Sequence, residues 1–168
     1  MKQQNTTRKL VMTALLAALA CVATMIVKIP SPFKGYLNLG DCVVLLAGWL
    51  LSPVCGFAAA GLGTALADVF SGFAVYAPAT FVIKGLMALA AHFLHRLLQQ
   101  KTGNFAARVV SGIAAEVIMV LGYFLFEAAL YGAAPSALNI PANALQGLAG
   151  LVLGLALIKA FEKHNIAK

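Results

Sequence analysis

Charge is the scarcest resource of this chain. Only 10% of its 168 residues are Asp, Glu, Lys or Arg, against about 25% in a soluble domain. Acidic groups number five in all, while 62% of the residues are hydrophobic and mean hydropathy is +0.92. So few solvated groups could not cover a water-soluble globule of this size, which excludes a soluble enzyme and a disordered chain. Cysteine is also sparse. Cys21, Cys42 and Cys55 are odd in number and show no C-x-x-C spacing, so neither a disulfide framework nor a zinc site is expected. Motifs of chemistry are missing as well: no G-x-x-x-x-G-K-[ST], no G-x-S-x-G and no H-E-x-x-H occurs. No catalytic residue, metal or cofactor is therefore assigned.

What the chain has instead is long uncharged runs. Residues 10–27 lie between Lys9 and Lys28, long enough for one membrane-crossing helix of about 20 residues. Residues 42–67 carry no charge but contain Ser52-Pro53, which suits an N-cap and first helical position. Dividing there predicts helices over about 38–51 and 53–70. Further helices are expected over about 78–98, 106–130 and 139–161, the last after the punctuation of Gly132, Pro135 and Pro141. The expectation is an all-α integral membrane bundle of six transmembrane helices, occupying residues 1–168 as one domain.

With six spans, both termini share a side with the second and fourth connections. That side collects Lys2, Arg8, Lys9, Arg96, Lys101, Arg108, Lys159, Lys163 and Lys168, against Lys28 and Lys34 on the other. The positive-inside rule then places both termini in the cytoplasm. It also accounts for the net charge of +7 without nucleic acid.

The acidic residues distribute oppositely. Asp41, Asp68 and Glu127 fall near outer helix ends, and Glu116 lies on the order of 15 Å into the fifth span. Lys84 sits about 10 Å inside the fourth. An ionisable group at such depth costs about 2.5–3.5 kcal/mol on insertion scales, so it marks a cavity or an internal pair; Asp68 and Glu116 are the expected partners of Lys84. Asn139, Asn143 and Gln146 share one face of the last helix, and Glu116, Tyr123, Glu127 and Tyr131 share a stripe on the fifth. These stripes converge in the outer half of the membrane, as a water-filled, outward-opening pocket requires. Interhelical hydrogen bonding alone would also account for the amides.

Small residues line other faces: Ala14 and Ala18, then Gly56, Ala60, Thr64 and Asp68, then Gly150 and Gly154. Such spacings permit close helix approach, inside the bundle or against another membrane subunit. Trp49 reads as an interfacial or packing residue. His92 and His95 have no acidic or cysteine ligand nearby in sequence, so a metal is not expected there.

The run "LGDCVVLLAGWLLSPVCGFAAAGLGTALADVFSGFAVYAPATFVIKGL" from Leu39, then "EVIMVLGYFLFEAALYG" and "NIPANALQG", resembles the S component of an energy-coupling factor (ECF) vitamin transporter. The basic entry into "RKLVMTALLAALA" is similar too, and the resemblance, specifically to riboflavin-type S components, covers nearly the whole chain. It implies a multi-pass subunit of the cell membrane that captures a vitamin or precursor from outside. Uptake would then need a transmembrane coupling subunit and two cytoplasmic ATPase subunits of an ABC-type transporter. The family's helix-one alanine contact with the coupling subunit would fall on Ala14 and Ala18, with Val22 standing where a third alanine is expected.

The resemblance places the substrate beneath the loop "KIPSPFKGYLN", where Phe33 and Tyr36 could stack on a flat ring or anchor the loop at the interface. Candidate substrate-binding residues are Phe33, Tyr36, Asn38, Asp68, Tyr76, Lys84, Glu116, Tyr123, Asn139, Asn143 and Gln146. Amides, tyrosines, one lysine and carboxylates suit a small heteroaromatic: a B6 form, a thiamin-precursor pyrimidine or riboflavin, with the smaller rings slightly favoured. A self-sufficient oligomeric carrier or channel is the alternative class. A membrane enzyme fits less well, since nothing activates a nucleophile beside Glu116 and Glu127.

Overall fold

The computed structural model describes residues 2–30 and 36–163, with side chains from Thr6 onward. The chain runs α1 (Lys2–Ile26), β1 (Ile29–Pro30), β2 (Tyr36–Leu37), α2 (Gly40–Leu50), α3 (Pro53–Phe70), α4 (Ala77–Thr102), α5 (Asn104–Tyr131), α6 (Ala133–Ala137) and α7 (Ile140–Lys163). It is an all-α bundle of six principal helices, as expected from the uncharged runs, with α6 as a single short turn between two of them.

Five segments are long and apolar enough to cross a membrane: Thr6–Ile26, Pro53–Phe70, Ala77–Thr102, Asn104–Tyr131 and Ala133–Lys163. The sixth principal helix, α2, has 11 residues. At about 1.5 Å per residue it reaches roughly half of a 30 Å hydrocarbon layer. Its shortness has a local cause. Ser52 is extended (ψ 157°) because the ring of Pro53 disfavours helical backbone in the residue before it, and Leu51 is extended as well (ψ 166°). Pro53 then opens α3 at its first position, although the Ser52 hydroxyl makes no capping hydrogen bond.

Every residue of α2 from Gly40 to Trp49 is buried. The helix touches α1, α3, α4, α5 and α7, so it is the axle around which the longer helices pack. Val44, Leu45 and Leu46 are fully buried in the main core with Met87, Ala88, Ala91 and Met119. Gly48 permits a close approach to α4: a Cβ there would stand 2.6 Å from the Ala88 carbonyl oxygen. Outward faces stay apolar, with Leu10, Leu97, Leu125 and Leu145 all above 60% exposed, as hydrocarbon surroundings demand.

Between α1 and α2, β1 and β2 pair antiparallel, Ile29 opposite Leu37 and Pro30 opposite Tyr36. This ladder was not anticipated; the prolines and glycine of the loop signalled only the absence of helix. Gly103, at φ +81°, makes the tight connection from α4 to α5.

Candidate substrate-binding site

The C-terminal end of α3, the start of α4, the end of α5 and the start of α7 meet at one end of the bundle. Because consecutive long helices alternate direction, residues distant in sequence converge there. They enclose a cleft of about 430 Å³, its mouth included, between the β2 segment and the helices. Tyr36, Asn38, Asp68, Tyr76, Tyr123, Asn139, Asn143 and Gln146 line it, as do Phe73, Thr80 and Glu127. The first eight are candidates named above. Phe33 lies outside the described residues.

The lining is a hydrogen-bonded shell. Tyr36 donates its hydroxyl to Asp68 Oδ1 at 2.7 Å, tying the loop to the end of α3. Burial and the adjacent carboxylate push the Tyr36 phenol above its ordinary pKa, so it remains a donor at every physiological pH. Tyr123 and Thr80 share a hydrogen bond of 3.0 Å. Glu127 accepts from Asn139 Nδ2 at 2.9 Å, and more weakly from the Tyr76 hydroxyl at 3.4 Å. Aromatic rings continue around the mouth: Tyr36 on Phe73 at 4.8 Å, Phe73 on Tyr76 at 6.3 Å, Tyr76 on Phe126 at 5.3 Å. Asn143 is different. Its side-chain amide makes no hydrogen bond among the described residues, which leaves it facing the cleft with both functions unused.

Two of the candidates lie behind the lining. Lys84 does not pair with Asp68 or Glu116, as expected from sequence; it pairs with Asp41, and both side chains are essentially unexposed. The reason is the packing of α2 against α4, which sets Asp41 opposite Lys84, whereas Asp68 is engaged by Tyr36. Lys84 Nζ also stands 5.4 Å from the centre of the Tyr123 ring, directly behind the cleft. Glu116 lies away from the cleft, its carboxyl against the glycine face of α7; a Cβ at Gly147 would be 2.9 Å from Oε2. Neither Glu116 oxygen has a hydrogen-bond partner among the described residues. It borders a lipid-facing apolar groove with Val117, Val120 and Leu148.

Gln146 joins the two layers. Its Nε2 donates to Asp41 Oδ2 at 2.6 Å, while its Oε1 accepts from the backbone N–H of Asn38 at 2.9 Å. Asp41 thus fixes which way the Gln146 amide points, and Gln146 in turn holds the Asn38 backbone at the edge of the cleft. The amide spacing of 139, 143 and 146 signalled this face, but not its attachment to the ion pair.

Phe73 and Thr80 were missed. Thr80 lies four residues from both Tyr76 and Lys84, a helical stripe legible in the sequence. Phe73 follows Gly72, which turns the chain at φ +83°, and no periodicity reaches it. On α1, Ala14 and Ala18 face outward between the exposed Leu15 and Leu19, away from the side that packs Leu16 and Ala20. Among the described residues no group of three His, Cys, Asp or Glu side chains is placed to hold a metal.

Comparison with known proteins agrees with this architecture. The solved structure of the S component of a bacterial ECF transporter superposes with a TM-score of 0.76 at 24% identity, covering 95% of this chain and 98% of that one, which shows the fold. A protein of Pyrococcus woesei, described as "Uncharacterized protein in gap 3'region", is 34% identical over 134 residues, 79% of this chain and 87% of its own length. The family of the ECF-type riboflavin transporter S component matches residues 4–163. That is a family of transporter subunits rather than of enzymes, and its match spans every principal helix. The chain belongs to the ECF-type riboflavin transporter S-component family, the substrate-binding membrane subunits of ECF transporters.

Proposed function

We propose that this chain captures an uncharged heteroaromatic vitamin or vitamin precursor from the outer face of the cytoplasmic membrane for ATP-driven uptake. The cleft carries this reading. Its described lining combines amides, hydroxyls and two carboxylates with a rim of aromatic rings, and no Lys, Arg or His among the described residues lines it. Ring edges bearing hydroxyl, imide or amino groups match such a surface, while aromatic faces receive the ring. A phosphate ester would meet Asp68 and Glu127 without a lining countercharge, so the unphosphorylated form is the ligand. Riboflavin is the first candidate because the family description names it. Pyridoxine and the thiamin pyrimidine are the smaller alternatives.

Tyr36, Asn38, Tyr76, Asn143 and Gln146 contact the ligand in this reading, and Phe33 remains a candidate from the sequence. Asp68, Tyr123 and Asn139 hold the lining in place, and Lys84 supports it from behind. Glu116 falls outside the contact set. Both termini and the basic ends of α1, α4 and α7 lie in the cytoplasm, following the lysine and arginine asymmetry. A transmembrane coupling subunit and two ATPases complete the transporter, and the outward small-residue strip of Ala14 and Ala18 is where the coupling subunit packs.

The test is a fluorescence titration of purified protein with riboflavin, its phosphate ester, pyridoxine and the thiamin pyrimidine. One unphosphorylated ring compound should bind saturably, with its phosphorylated form at least about tenfold weaker. Equal or tighter binding of the phosphorylated form would contradict the proposed chemistry of the cleft.

A further inference from the structure

The hydrogen bonds around the cleft have a direction, and that direction constrains what can bind there. A hydroxyl carries one proton and two lone pairs, so a tyrosine or threonine that donates to the protein keeps only acceptor capacity. Two carboxylates, Asp68 at 5% and Glu127 at 4% exposure, stand among these hydroxyls and only accept. They win the contest for protons, because hydrogen bonds to an ionised group are roughly twice as strong as neutral ones.

The protons can be followed around the lining. Tyr36 spends its proton on Asp68 Oδ1 at 2.7 Å. Thr80 hydrogen-bonds the same carboxylate, so its proton goes there. The 3.0 Å bond between Thr80 and Tyr123 then runs from the Tyr123 hydroxyl to Thr80 Oγ1. Tyr76 turns its hydroxyl to Glu127 Oε1, and Asn139 Nδ2 donates to Oε2. The phenols of Tyr36, Tyr76 and Tyr123 therefore have no proton left for a ligand. Gln146 also spends an N–H, on Asp41 Oδ2. Asn143 alone of the lining amides keeps all of its N–H groups free among the described residues.

We propose that Asp68 and Glu127 determine specificity through this order of protons. They make the cleft an accepting surface, so the polar groups of its ligand are mainly O–H and N–H donors. The proposal rests on the cleft being the vitamin site, and it narrows the ligand to a ring that bears free hydroxyl or amino groups. Such groups satisfy the tyrosine oxygens. The same ring with its hydroxyls capped as ethers brings acceptors against acceptors and leaves both unpaired. Neither carboxylate has to touch the ligand; each is a positioning residue that acts through the hydroxyls it holds.

The first readout needs no ligand. The resonance Raman doublet of tyrosine separates donating from accepting phenols by its intensity ratio. The chain has 4 tyrosines, and Tyr36, Tyr76 and Tyr123 belong to this lining. The ratio of the purified protein should read strong donation. Asp68→Asn and Glu127→Gln should each move it toward acceptance, whereas Glu162→Gln, whose carboxylate pairs with Arg108, should leave it unchanged.

The second readout is a fluorescence titration with riboflavin, pyridoxine and the thiamin pyrimidine, each beside its O-methylated counterpart. The compound that binds should lose at least about tenfold in affinity on capping. In folded Asp68→Asn that penalty should shrink by at least about threefold, because the amide donates to Thr80 and frees the Tyr123 proton. The bulk of the methyl group is the same for both proteins and cancels from this comparison. Glu127→Gln repeats it at the second carboxylate, and thermal unfolding confirms that each variant is folded. Binding of none of the parent compounds would contradict the vitamin reading, while the Raman ratio still decides the order of protons. An accepting ratio in the wild type, a ratio indifferent to both substitutions, or an unchanged capping penalty in both variants would overturn the proposal.

Discussion

The two ends of this bundle are built from the same helices yet present opposite chemistry. One end gathers Asp68, Glu127, amides and tyrosines around a narrow cleft, bordered by the β2 segment that Tyr36 ties to Asp68. The other gathers Lys9, Arg96 and two histidines around a wider opening. The difference teaches how a chain with so few charges assigns them. Asp68 and Glu127 are buried and hydrogen-bonded around the cleft, whereas Lys9 and Arg96 stay exposed at the opposite end. Between the ends, the Asp41–Lys84 pair sits with almost no exposure and links to the cleft through Gln146.

The largest way to disturb this arrangement is to remove one charge of the buried pair. Lys84→Met leaves Asp41 as an uncompensated carboxylate and should cost about 3–5 kcal/mol of stability, read as a lowered thermal midpoint and yield. Combining it with Asp41→Asn should recover much of the loss, because the asparagine oxygen still accepts from Gln146. No recovery would mean that Lys84 acts outside the pair.

A smaller effect separates the two amides of α7. Asn143→Leu should weaken ligand binding roughly 5- to 150-fold, as loss of about 1–3 kcal/mol implies, with the thermal midpoint unchanged. Gln146→Leu should lower both affinity and stability, since it strands Asp41 Oδ2 and the backbone N–H of Asn38. Calorimetry beside thermal unfolding distinguishes these outcomes. Identical behaviour of the two variants would place the ion pair and the cleft in one layer rather than two.

The smallest effect on the isolated protein comes from the outer face of α1. Ala14→Phe or Ala18→Phe should leave ligand affinity within about twofold, because neither side chain enters the core. Uptake in cells carrying the complete transporter should nevertheless fall. Loss of affinity together with uptake would show that these alanines serve the bundle's own packing.

Much of the fold was legible because a membrane protein displays its spans as gaps between charges. The break at Ser52-Pro53 and the amide face at 139, 143 and 146 followed from backbone restriction and helical period. Partners across helices were not legible. Lys84 could reach any carboxylate of similar depth, and only the central position of the short α2 selects Asp41. The strand pair at Ile29–Pro30 and Tyr36–Leu37 is too short to leave a periodic signal, and Phe73 enters the cleft by a glycine turn rather than by helix register.

The central claim is that the cleft at the carboxylate-and-amide end holds the transported molecule. Native mass spectrometry of the protein purified from cells grown in rich medium tests it most directly. The account predicts one small heteroaromatic molecule bound per chain in the wild type, carrying no phosphate, and its loss in folded Asn143→Leu. Retention of the same molecule at the same occupancy by folded Asn143→Leu would contradict it.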